Sequence, residues 1–289
     1  MEISEIKVET VASLTLPWQE IRVMPIGDVQ LGAQGCQTDR LQRDVEWGLN
    51  QNAYFLGMGE YLDILSPSNR AKIRAANLYD TAEDIIEEIT EQKIEQFQKL
   101  VNGSEGRWLG MLEGHHLYEF RDGSTTDTRI ARALKTNFLG TCAFVRLKLQ
   151  RQENTKGKRP VLTCTIWCHH GVGSGIKTSA PLNKLENIMP YFDADIYLIA
   201  HQHKKVSTPI DQLYMTRKKP YDIGYRTKIL ACTGGYLLGY YKGAKQGGLY
   251  PRGGYVERGM RPPVALGCIV LYIRPVHSQV DRLDLNVSL

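Results

Sequence analysis

Short apolar runs alternate along the chain with longer stretches in which apolar positions recur every three or four residues. Runs of the first kind read as buried strands and stretches of the second kind as amphipathic helices. IRVMPI (21–26) opens the series and stops at Gly27-Asp28. QTDRLQRDVEWGLNQN (37–52) follows as a helix, with Thr38 or Asp39 as its N-cap. AYFLGMG (53–59) is a strand that stops at Glu60. Ser68 is expected to cap a helical region over 69–101, with Ile86, Ile89, Ile94, Phe97 and Val101 on one face. RWLGMLEG (107–114) reads as a strand, TDTRIARALKT (126–136) as a short helix, and AFVRLKLQ (143–150) and VLTCTIWC (161–168) as strands flanking the polar hairpin RQENTKGKRP (151–160). HGVGSGIKTSAPL is a glycine-rich loop, LNKLENIMPYF (182–192) a helix and DIYLIA (195–200) a strand. Shorter strands follow, with turns at Gly234-Gly235, Gly247-Gly248 and Gly253-Gly254. Strands alternating with helices predict an α/β fold.

The chain has 289 residues and is 42% hydrophobic, enough for a sizeable core, and no compositional break marks a linker. One domain over 1–289 is expected. No apolar stretch approaches the ~20 residues of a membrane span, and the first residues, MEISEIKVET, carry acids where a signal peptide would be basic and then apolar. The expected location is the cytoplasm, of a bacterium or a phage-infected host. The six cysteines are scattered and read as reduced core thiols.

Charge changes the picture in one place. Residues 204–262 hold twelve lysines and arginines against three acids, interleaved with tyrosines 214, 221, 225, 236, 240, 241, 250 and 255. Cations neutralise phosphates and rings stack on bases, so such a stretch suits a polyanion, and it suits a solvated basic face equally well.

The chemistry lies where the runs stop. Five of them end in metal-ligand residue types: GDVQ (27–30), GEYLD (59–63), GHH (114–116), HHG (169–171) and AHQH (200–203). Six of the seven histidines occupy three of these endings. Ligands of open α/β sheets gather outside the carboxyl ends of the strands. Imidazole mixed with carboxylate suits manganese, zinc or iron, whereas calcium and magnesium prefer oxygen alone. His201 and His203 stand two apart, which in extended backbone puts both on one face.

These five blocks, in this order over residues 27–203, resemble the calcineurin-like metallophosphoesterases, whose pattern is DxH, GDxxD, GNH, a histidine before glycine, and GHxH. GMGEYLDILSPSNR and LNKLENIMPYFDADIYLIAHQH look most like phage and prophage members. The resemblance implies a four-layer α-β-β-α sandwich of two mixed β-sheets, with the basic, Tyr/Gly-rich part 204–289 completing the second sheet. It implies two divalent metals bridged by a carboxylate and a water or hydroxide, with manganese first and zinc or iron as alternatives. Carried over by position, Asp28, Gln30, Glu60 and His203 would hold the first metal, and Glu60, His115, His170 and His201 the second. Asp63 would orient, and His116 would protonate the leaving oxygen or stabilise phosphoryl charge. His169 is the alternative to His170, with Gly171 favouring His170. Lys177 and Arg129 are candidate phosphate contacts.

Four positions depart from the pattern. Gln30 stands for histidine, Glu60 for the bridging aspartate, His115 for asparagine and Ala200 for glycine. An amide oxygen is a poorer ligand than imidazole, so the first site is expected to be the weaker. The implied activity is hydrolysis of a phosphate ester, by a phosphodiesterase or nuclease. The alternative is a catalytically impaired protein of the same fold that binds nucleic acid or another partner.

Overall fold

Short apolar runs become strands and the longer stretches become helices. The computed structural model describes residues 11–289 apart from 77, 152–159, 174, 217–220, 245–249, 251–252 and 278–280. Most of the hairpin expected at 151–160 and the turn at Gly247-Gly248 lie outside the described residues. In chain order the elements are β1 (Val11–Pro17), β2 (Ile21–Ile26), α1 (Thr38–Asn50), β3 (Tyr54–Gly57), α2 (Pro67–Ala76), α3 (Asp80–Leu100), β4 (Trp108–Met111), α4 (Thr126–Ala133), β5 (Cys142–Gln150) and β6 (Val161–His169). There follow α5 (Ala180–Ile188), β7 (Ile196–Ile199), β8 (Lys205–Met215), β9 (Ile223–Gly235), α6 (Tyr255–Arg258), β10 (Gly267–Cys268), β11 (Val270–Val276) and β12 (Arg282–Ser288).

The strands form two mixed sheets. One runs β1-β5-β6-β7-β9-β10, with β8 also paired to β9, and the other runs β12-β11-β2-β3-β4. Their apolar inner faces share one core, in which Val23, Leu56 and Leu271 of the second sheet pack with Leu147, Ile166 and Leu198 of the first. Burying each such side chain is worth about 1.5–3 kcal/mol. Helices α1, α3 and α4 cover the outer face of the five-stranded sheet through Leu41, Phe97 and Ile130. Leu185 of α5 covers the outer face of the other sheet. This is the expected four-layer sandwich. In β7 the alternation is strict: Ile196 and Leu198 face the inner core, and Tyr197 and Ile199 face α5.

Several local expectations give way. The residues after 204 feed both sheets: β8, β9 and β10 join the first, while β11 and β12 pair onward from β2 in the second. Strand β1, unseen in the pattern, adds to β5 in parallel. Gln37 holds the N-cap position of α1 without a side-chain capping hydrogen bond to the helix. At α2 it is Ser66 Oγ, rather than Ser68, that accepts the amide of Asn69. The helical region expected over 69–101 is two helices, because Tyr79 is extended and Asp80 and Glu83 open a new first turn. On α3 the buried stripe passes through Thr90, whose hydroxyl donates to the Ile86 carbonyl, and Ile89 is 51% exposed. Gly234-Gly235 ends β9 instead of forming a turn.

Candidate metal centre

Strands β2, β3 and β4 run parallel in one sheet, and β6, β7 and β9 run parallel in the other. The loops leaving β2, β3, β4, β6 and β7 meet at one rim. Backbone hydrogen bonds weave them together. Asp28 N donates to Gly59 O, Gln30 N to Glu60 O, Ala200 N to His170 O, and Tyr236 N reaches across to Asp28 O. Eight described residues other than glycine have positive φ, and five of them are Asp28, Gln30, Glu60, His201 and His203. Backbone of that kind is strained and persists where its surroundings over-determine it, commonly at functional sites. Two glycines make the packing possible. A Cβ on Gly114 would stand 2.2 Å from Glu60 N, and one on Gly235 2.9 Å from Asp28 Cβ and from His203 Nδ1.

Two groups of donor atoms gather there, each with its atoms within 4.8 Å of one another. They are Glu60, His115, His170 and His201, and Asp28, Glu60 and His203. Glu60 belongs to both. Its Oε1 lies 3.1 Å from His170 Nε2, 3.4 Å from His201 Nδ1 and 3.6 Å from His115 Nδ1. The three rings meet edge to face, with centroids 4.7 to 5.3 Å apart. Burial pushes the Glu60 carboxyl up, and the neighbouring His115, His170 and His201 rings outweigh it, so the group is held well below the usual carboxylate range. Glu60 Oε2 accepts from Gln30 Nε2 at 2.7 Å.

His170 is fully buried, and its Nδ1–H donates to the Met58 carbonyl at 2.6 Å. That bond sets the tautomer, so Nε2 turns a lone pair toward Glu60 Oε1. Two acceptors face one another unless a proton or a cation lies between them. Burial lowers the His170 pKa against the opposing pull of Glu60, which disfavours the proton. His169 is placed differently: its Nδ1 accepts the Gly171 amide at 2.7 Å.

Asp28 is fully buried, and neither carboxylate oxygen has a hydrogen-bond partner; His201 Nδ1 is likewise buried without one. Burial and then the Glu60 charge raise the Asp28 pKa, with the backbone amides of His201 and His203 opposing. Burial also lowers the His203 pKa to about 4, so this ring is neutral and able to ligate. Unpartnered carboxylate oxygens, a second buried carboxylate and neutral imidazoles form a donor set that fits a divalent cation. The amide of Gln30 fits less well, because its nitrogen lies 3.4 Å from His203 Nε2 and cannot ligate.

Beside the cluster, His116 Nδ1–H donates to Asp63 Oδ1 at 2.7 Å, and this bond raises the His116 pKa. The two candidate phosphate contacts differ in fate. Lys177 is exposed in the loop after His170. Arg129 is committed elsewhere, to Ser124 at 2.7 Å, Asp122 at 2.9 Å, Glu91 and the face of Phe120. Its guanidinium ties α4 to α3.

Much of the basic, aromatic stretch is also removed from the rim. Strand β9 runs from Ile223 to Gly235, so Tyr225, paired with Leu213, lies roughly 33 Å from the site at ~3.3 Å per residue. Lys228 is buried against Tyr197 and Asp193, and Arg226 pairs with Asp193. Near the rim, Arg261 is close enough for its charge to act on His203. Arg217, Lys218, Lys219, Lys245 and Arg252 lie outside the described residues.

Three supporting residues carried no sequence signal. Arg70 Nη1 donates to the carbonyls of Leu65, His115 and Leu117, which fixes the loop after β4. Buried Asp127 accepts the Gly114 amide at 2.8 Å, and burial raises its pKa to about 7. Lys204 Nζ donates to the carbonyls of Gly175, Ile176 and Lys177 and holds the loop after β6. Only position beside His203 could have marked Lys204.

No family model matches the chain, and no curated protein matches it. Among solved structures it is similar to vacuolar protein sorting 29 from Cryptosporidium parvum, at 11% identity and a TM-score of 0.35, over 93% of this chain and 98% of that one. A likeness that distant says nothing about function. Among the described residues, no helix is long and apolar enough to cross a membrane.

Proposed function

We propose that the protein is a divalent-metal-dependent phosphoesterase acting on phosphodiesters, with manganese as the first metal to test and nucleic acid as the first natural substrate. The observation that carries this reading is the buried Asp28 carboxylate, without a partner, beside a Glu60 oxygen that faces three imidazole nitrogens. The ordered likeness to the calcineurin-like metallophosphoesterases supports it. A divalent cation held by these residues acidifies water and screens the charge of a phosphoryl group.

The chain's own residues supply the rest. Asp63 holds His116 through Nδ1 and favours its protonated form, leaving Nε2 as the atom that offers a proton to a leaving oxygen. Arg70 fixes the backbone that carries His115 and His116. Arg261 adds positive charge on the side of His203 and suits an anionic substrate. The Gln30 nitrogen facing His203 favours one second reading, a fold-retaining binding protein with impaired catalysis.

The test is hydrolysis of an aryl phosphodiester by protein stripped of metal and reloaded with manganese, with His116→Ala as the control. Turnover that needs metal and is lost in the variant establishes the enzyme. Folded protein that binds metal and turns nothing over leaves the binding role. A steep fall of single-strand binding with salt marks nucleic acid as the partner.

A further inference from the structure

We infer that the two donor groups hold different cations: the Glu60–His115–His170–His201 group keeps a borderline transition metal tightly, and the Asp28–Glu60–His203 group takes a second, exchangeable cation, with the Gln30 amide setting the difference. This rests on the metal-dependent reading above and concerns how the metals are held.

Glu60 divides its oxygens between the two positions. Oε1 already stands within 3.1 to 3.6 Å of three ring nitrogens. A cation can enter there with little rearrangement, because His170 is fixed from behind by the Met58 carbonyl. Oε2 is capped by Gln30 Nε2 at 2.7 Å, and the same nitrogen lies 3.4 Å from His203 Nε2. An N–H group therefore stands between two of the three donors of the second position.

A cation entering that position must break the bond from the amide to Glu60. Turning the amide over would offer its oxygen, but would set it against Glu60 Oε2, acceptor against acceptor, unless the cation lies between them. The position still attracts a cation, since both Asp28 oxygens are buried without partners. Losing a hydrogen bond to a charged group weakens binding about 10- to 100-fold. The donors also differ in kind. Three imidazoles and one carboxylate suit zinc, iron or manganese. Two carboxylates and one imidazole, joined by an amide oxygen only after rearrangement, shift the preference toward manganese or magnesium.

Stripped full-length protein would be titrated calorimetrically with zinc and then with manganese, and metal content measured before and after gel filtration. Two equivalents are expected, one retained through the column and one at least 10-fold weaker and lost on it. Gln30→His should bring the two affinities within about threefold, and His115→Ala should weaken the tight equivalent. Equal affinities in the unaltered chain would overturn the inference, as would an unchanged gap in a Gln30→His protein whose circular dichroism shows it folded. A single equivalent with no second up to millimolar manganese would remove the exchangeable position and spare the tight one. The readout is metal content, so absent turnover with two unequal equivalents would sink the phosphoesterase reading alone, and no bound metal would sink both.

Discussion

Strand β9 joins two regions built by opposite rules. At its carboxyl end, Gly235 abuts Asp28 and His203 in a rim of buried polar groups, where five side-chain-bearing residues hold left-handed backbone. At its other end, β9 pairs with β8 in unbroken register over eleven residues, and Leu213, Met215, Ile223 and Tyr225 are exposed on one face. The hairpin obeys propensity and is anchored to the sheet through the pairing of β9 with β7. The rim violates propensity and is held by the mesh of backbone bonds and by the core below. Chemistry is concentrated where local preference is overridden, which is where a site can be stiff without being stable by itself.

That contrast can be broken in steps. The largest effect should come from the core beneath both regions. Leu198→Ala should cost about 2–5 kcal/mol in denaturant unfolding, with metal content of the folded protein unchanged; lost metal would mean that core and rim are not separable. Gly114→Ala should cost about 1–3 kcal/mol, because its Cβ would collide with Glu60 N, and it should also lower metal affinity. Full affinity would show that the rim can shift.

Smaller effects follow from titration. Asp127 has its pKa raised to about 7, so folded protein keeps a proton that unfolded protein has lost from about pH 4 upward. Stability of the metal-free protein should therefore fall as pH rises through that window, and Asp28, raised in the same direction, adds to the slope. Asp127→Asn should flatten melting temperature against pH, whereas an unaltered slope would assign the effect elsewhere. His116 is raised by Asp63, so activity that needs its proton is full at low pH and is lost as pH climbs through the folded pKa. Asp63→Asn should move that alkaline limb to lower pH in a pH–rate profile. Tyr225→Ala should change least, within about 0.5 kcal/mol and with unchanged turnover. A large drop in turnover would tie the hairpin to the substrate despite its distance.

Legibility follows the same division. DIYLIA reads as a strand from its apolar run alone, and β7 occupies Ile196–Ile199 with strict alternation. The family of five strand endings is also visible in the sequence, since residue type and order need no coordinates. Ile89 and Thr90 point about 100° apart around the helix axis; the period through Ile86, Ile94 and Phe97 passes through Thr90, and apolar character alone had set Ile89 in the stripe. Arg129 looked like any free cation, and its ties to Glu91, Asp122 and Phe120 come from helices that meet only in the folded chain.

By itself, the sequence determined the alternation of strands and helices and the clustering of carboxylates and imidazoles at strand ends, because both are carried by local pattern. Tertiary structure alone decided which of those side chains share an atom's reach. Glu60 touches three histidines from three different loops, Gln30 caps the oxygen left over, and His170 rather than His169 turns inward because the Met58 carbonyl lies behind it. With the approach of Gln30 to His203, such contacts span up to 173 residues of chain, and no local propensity encodes a distance across two sheets.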